Sequence, residues 1–194
     1  MRRLLPVVLL CGCAFGDRSA PDGAGAELAP RDLQTAPELG PPGPRDLSGA
    51  VDQAGQSVVV LNEAFADGAG VTPDYGEVKN LGNVPVDLSG FLIGDDAKDF
   101  PLPPGTVVPG AGYLVVYFDK SGAGPAGLYT GFGLGQGGDE LHLRYPDGRD
   151  VVPPLRWGAA PLPVLEKGQS FGRLPDGTGD LRPATPTPGS ANRP

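Results

Sequence analysis

Proline and glycine interrupt this chain so often that, from Val58 onward, no helix of ordinary length fits. The 194 residues include 32 Gly and 24 Pro. A proline inside a helix removes a hydrogen bond and clashes with the preceding turn, and a glycine there costs backbone entropy. The apolar runs left between them are short, are bounded by turn residues and recur at roughly ten-residue intervals, which is the all-β pattern. Such runs bury their apolar faces by closing two sheets over Val, Leu, Ile, Phe and Tyr side chains.

Residues 58–66 read as the first strand, followed by Asp67-Gly68 and a loop through Pro73. Gly110-Ala-Gly112 introduces Tyr113-Leu-Val-Val-Tyr-Phe118, the most apolar run, which is therefore expected at the centre of a sheet. Leu141, Leu143 and Tyr145 alternate with His142 and Arg144, predicting a strand with one wet face. Pro146-Asp-Gly148 and Pro175-Asp-Gly177 read as tight turns. The pattern predicts an immunoglobulin-like β-sandwich of about seven to nine strands over residues 56–194, and another Greek-key sandwich fits it as well.

The first residues carry a different signal. Arg2-Arg3, a short apolar run broken by Pro6, and Leu10-Cys-Gly-Cys13 have the layout of a secretory signal peptide over residues 1–12. The run is too short to span a bilayer. Leu10 at −3 and Gly12 at −1 relative to Cys13 resemble the bacterial lipobox, in which the cysteine thiol takes a diacylglycerol and becomes the mature N-terminus. Cys11 does not fit that role, because Leu10 would occupy its −1 position. The competing readings are an ordinary signal peptide that removes both cysteines, or a Cys-x-Cys metal fragment with no further ligands nearby. Residues 13–55 are rich in Pro, Gly, Ala and Asp without apolar periodicity, so they read as a disordered linker, a tether with an end-to-end distance on the order of 35 Å. The expected location is the bacterial cell envelope, on the outer membrane through the lipid.

Several motifs follow one another in a fixed order along the folded part. They are Val58-Val-Val-Leu-Asn-Glu63, Asp74-Tyr-Gly-Glu-Val-Lys-Asn80, Leu88-Ser-Gly-Phe-Leu-Ile-Gly-Asp-Asp96, Gly133-Leu134 with Gly138-Asp139, Ser170-Phe-Gly-Arg-Leu-Pro-Asp-Gly177 and Thr185-Pro-Thr-Pro-Gly-Ser-Ala-Asn192. Taken together this series resembles the lamin-tail domain, the immunoglobulin-like module of nuclear lamins that also occurs in secreted bacterial proteins. Tyr75 and Phe91 stand where the bacterial pattern usually has Trp, and Gly76 where it has a β-branched residue. The resemblance implies a fold and a non-catalytic binding or structural module. It also allows an accessory domain of an extracellular hydrolase system.

Residues able to carry chemistry are few. His142 reads as an outward-facing strand residue in preference to a metal ligand or general base. Ser170 in Gly168-Gln-Ser-Phe-Gly172 imitates a hydrolase elbow, but a turn follows it where that motif needs a helix. Gly131-Phe-Gly-Leu-Gly-Gln-Gly-Gly138 lacks the Lys-Ser/Thr ending of a phosphate loop. Asp95, Asp96 and Asp99 are candidate calcium ligands, calcium being the one cofactor the sequence allows; the alternative is a solvated turn, because the ion wants at least about six oxygens. Asn62, Glu63, Glu77 and Asn80 read as structural groups that bond backbone at strand ends. Trp157, among prolines and glycine, is the candidate partner contact, although a sandwich core has an equal claim on it.

The formal net charge is −8, and loss of Arg2 and Arg3 with the signal makes it more negative. A polyanion is repelled by such a chain, so no nucleic-acid partner is expected. The expected function is a membrane-tethered lipoprotein, not an enzyme, that engages a protein or glycan at the cell surface. A calcium-dependent adhesion or carbohydrate-binding module is the alternative.

Overall fold

A computed structural model describes residues 58–67 and 73–194, and the lipobox cysteine and the linker lie outside these residues. All regular structure among the described residues is β. The strands are β1 (Val59–Phe65), β2 (Asp74–Asn80), β3 (Val86–Asp87), β4 (Leu92–Gly94), β5 (Asp99–Pro101), β6 (Val107–Val108), β7 (Tyr113–Phe118), β8 (Leu128–Tyr129), β9 (Asp139–Arg144), β10 (Leu155–Trp157), β11 (Ser170–Leu174) and β12 (Asp180–Ala184). This exceeds the expected count because the frequent prolines and glycines cut several strands to two or three residues.

Three sheets result, with orders β12-β11-β1-β2-β7-β8, β10-β9-β4-β5 and β3-β6. The six- and four-stranded sheets contribute to one core, a β-sandwich-like arrangement in which Leu61, Val78, Val116, Phe118 and Phe171 share a cluster with Ile93, Leu141, Leu143 and Leu155. Gly76 of β2 packs closely beneath the facing sheet, since a Cβ there would lie 2.6 Å from Leu141 Cδ1. That close approach accounts for glycine at this position in the motif. The terminal strands carry their prolines, Pro101 in β5 and Pro183 in β12, where a missing N–H breaks no inner ladder.

Two strand expectations need correction. The apolar β7 is not central: β1 and β2 occupy the middle of the sheet, and the N-terminal half of β7 is only half-buried, with the two-residue β8 beside it. Nor does β9 have a wet face, because Glu140, Leu141, His142 and Leu143 are all buried.

The outer face of the six-stranded sheet has its own order. Phe65, Tyr75, Tyr117 and Tyr129 are successive cross-strand partners across β1, β2, β7 and β8. The Phe65–Tyr75 and Tyr117–Tyr129 rings stack at 5.4 and 5.2 Å, forming a second, smaller apolar cluster.

Candidate functional site

A β-bulge organises the first polar constellation. Leu61 pairs with Val78 and Glu63 with Glu77, leaving Asn62 unopposed. The extra residue flips the alternation of β1, so that Leu61 enters the core while Glu63 shares the outer face with Phe65 and Glu77. Glu63, Glu77 and Asn62 are all completely buried.

The C-terminal residues 185–192 supply much of what these carboxylates require. Thr187 N donates to both Glu63 oxygens at 3.2 and 3.1 Å, and Gly189 N donates to Glu77 Oε2 at 2.6 Å. Ser170 Oγ donates to Glu63 Oε1 at 2.5 Å, and Tyr75 also bonds this carboxylate. Asn62 Nδ2 donates to Glu77 Oε1 at 2.8 Å and to Asp176 Oδ1 at 3.0 Å, while its Oδ1 accepts from Gly177 N. Asn192 Nδ2 closes the circuit on the Asn62 carbonyl at 3.0 Å.

The electrostatics follow from burial and proximity. Burial pushes the Glu77 carboxyl up to about 7; the Asn62 and Gly189 bonds oppose this, and the Glu63 and Asp176 carboxylates reinforce it. The Tyr75 hydroxyl is raised by burial and by the neighbouring Glu63 carboxylate. Burial also acts to raise Asp176, but bonds from Asn192 N, Asn62, Tyr113 and Lys79 outweigh it and hold this carboxyl below its ordinary range. Asn80, by contrast, bonds only backbone, donating to the Val84 and Val108 carbonyls and accepting from Gly82 N.

The second constellation lies on the side of the four-stranded sheet turned away from the core. His142 projects there, yet it is completely buried, correcting the exposed position expected for it. Its Nε2 lies 2.6 Å from Asp99 Oδ1 and its Nδ1 3.2 Å from Glu140 Oε1. Arg144 contacts Glu140, Asp99 and Asp150, and Arg156 Nη2 meets Glu140 Oε2 at 2.5 Å. Gly94, opposite His142, leaves the space the ring needs: a Cβ would lie 2.7 Å from Nε2. A general base has to come within hydrogen-bonding reach of its substrate, and this ring is enclosed between two carboxylates. Ser170 is likewise buried and committed to Glu63.

The three candidate calcium ligands are engaged differently. Asp95 is buried and its Oδ1 accepts from Ala97 N and Lys98 N, shaping the turn; Asp99 bonds His142; Asp96 is exposed. Among the described residues no group of three or more His, Cys, Asp or Glu side chains is placed to hold a metal ion.

Trp157 is 4% exposed and belongs to the core, not to the surface expected of a partner contact. Its Nε1 donates to the Gly135 carbonyl at 2.9 Å. It nevertheless lines a cleft of about 610 Å³, together with Leu155, Arg156, Leu162, Asp96, Asp139 and Glu140. Gly138 on the cleft wall is in backbone contact with Gly158 (φ +97°), where a Cβ would fall 2.4 Å from Gly138 Cα. This contact explains the last glycine of the Gly131–138 loop.

Asn62, Glu63 and the 185–192 segment were visible as motifs, but Asp176 read only as a turn residue and its bonds to Asn62, Tyr113, Lys79 and Asn192 gave no local signal. The Glu140–His142 pair was legible in principle, because residues two apart on a strand share a face. Against known proteins, no family model matches this chain and no curated protein matches it.

Proposed function

We propose that the protein is an exported bacterial lipoprotein, held on the envelope, at the outer membrane, by a diacylglycerol on Cys13, whose folded part is a lamin-tail-like, immunoglobulin-like module that binds a protein or glycan partner without catalysis. The observation that carries the binding-module reading is the way its reactive side chains are used. His142, Ser170, Glu63 and Glu77 are all completely buried and tied to other parts of the fold, and among the described residues no buried side-chain nitrogen or oxygen lacks a partner. Such closed networks give shape to a domain. The acidic chain also argues for a partner other than nucleic acid.

The direct test is capture from the source envelope on the immobilised full chain, with calcium and with chelator. A specific partner retained in both conditions is the expected result. Capture that needs calcium would favour the adhesion reading, to which the exposed Asp96 at the cleft would then contribute. Hydrolytic turnover that survives repurification, or tight DNA binding at physiological salt, would overturn the proposal.

A further inference from the structure

The cleft beside Trp157 lies where both sheets end. It is lined by all three residues of β10, the terminal strand of the four-stranded sheet, and by Leu181 of β12, the terminal strand of the six-stranded sheet. Terminal strands of this kind are where an extended segment of another chain adds on, with backbone bonds giving affinity and pockets giving selectivity.

The lining has two chemical parts. Ala160, Pro161 and Leu162 present apolar surface, over the buried Leu155 and Trp157. Asp96, Asp139 and Glu140 supply three carboxylates against one guanidinium, that of Arg156. Glu140 is already matched by Arg144, Arg156 and His142, whereas Asp96 is exposed and Asp139 accepts only backbone bonds in this region, from Gly135 N and Glu140 N. The excess charge is therefore negative and sits at Asp96 and Asp139. Trp157 offers no exposed ring face for a sugar to stack on. The walls are also preformed, through the Trp157–Gly135 bond, the Gly138–Gly158 contact and the bonds from Gly158 N to the Leu162 and Pro163 carbonyls. A volume of about 610 Å³ accommodates a few residues of an extended chain.

We propose that this cleft receives an extended, basic peptide segment of a partner protein, its backbone alongside β10 and an arginine or lysine directed at Asp96 and Asp139. The proposal rests on the binding-module reading and specifies its surface and ligand class.

The test selects random dodecapeptides displayed on phage against the immobilised full chain, then measures the enriched peptides by fluorescence anisotropy and by the emission of Trp157, the only tryptophan in the chain. Selected sequences are expected to carry Arg or Lys and to alter Trp157 emission. Asp96→Lys is expected to weaken them about fivefold, in a salt-dependent manner. Ala159→Arg, which projects into the cleft from an exposed position, is expected to weaken them by about tenfold or more. Melting curves establish that both variants remain folded. Failure to enrich any peptide, enrichment without basic residues, or equal binding to the Ala159→Arg chain would overturn the proposal, as would cellohexaose binding that the same substitution abolishes. An envelope protein that still binds Ala159→Arg would remove this cleft while leaving the module reading intact.

Discussion

Glu63 of β1 lies directly across from Glu77 of β2, and both carboxyl groups are sealed from solvent while accepting N–H bonds from residues more than a hundred positions later in the chain. Like charges facing each other across a ladder are destabilising unless one is neutralised or both are well bonded. Here the C-terminal segment provides bonds to each, so the pair locks the end of the chain onto the sheet.

Stability should fall as pH rises through the range in which Glu77 titrates. The folded-state Glu77 carboxyl is raised from 4.5 to about 7, so the folded protein holds the proton in a window where the unfolded chain has lost it. The contribution is fully present below about 4.5 and is lost as pH rises through about 7, a change of about 3 kcal/mol. Glu77→Gln, which mimics the protonated side chain, should flatten urea midpoints measured at pH 5 and pH 7.5. A variant whose midpoints track those of the parent would contradict this origin.

Asn192→Ala should destabilise the domain by about 2–4 kcal/mol, because it removes donors to the buried Asn62 carbonyl and to the Arg173 carbonyl and an acceptor for Thr187 Oγ1. Denaturant titration of the full chain measures it. A cost below about 0.5 kcal/mol would place Asn192 among ordinary surface positions.

Trp157→Ala should act on folding, at about 3–5 kcal/mol, and is for that reason a poor probe of binding. Trp157→Phe keeps most of the packing and loses the bond to Gly135 O, for about 1 kcal/mol. The parent's emission should be that of a shielded indole. A solvent-exposed spectrum from the native protein would return Trp157 to the surface.

Gly94→Ala should be poorly tolerated. Its Cβ would meet the Lys98 carbonyl at 2.0 Å and His142 Nε2 at 2.7 Å, and the backbone on one side leaves little room to adjust. The expected cost is about 3 kcal/mol, read as a lowered melting temperature. Melting at the parent temperature would show that β4 and the turn after it move freely enough to absorb the methyl.

Cys13→Ser should release the protein from membranes in detergent phase partition, and Cys11→Ser should leave it there. Mass analysis of the mature N-terminus is the accompanying measurement. A water-soluble product that starts after a different cleavage site would argue against lipidation.

Prolines, glycines and alternating apolar runs act over a few residues, and so the all-β class, the strand from Val59 and the turns at Pro146 and Pro175 could be read directly from the chain. Whether a side chain that points away from the core is wet depends on what covers it, which is a long-range matter. His142 is dry because Asp99, from another strand, meets its ring and Glu140 and Arg144 flank it. Trp157 is buried because the Gly135–Gly138 loop folds against Gly158. The bulge at Asn62 exists only in the pairing of β1 with β2, and it alone turns Glu63 toward Glu77 and the C-terminal segment. Local conformational preference determined the elements; the burial and pairing of their polar side chains were decided by contacts among residues that the sequence keeps far apart.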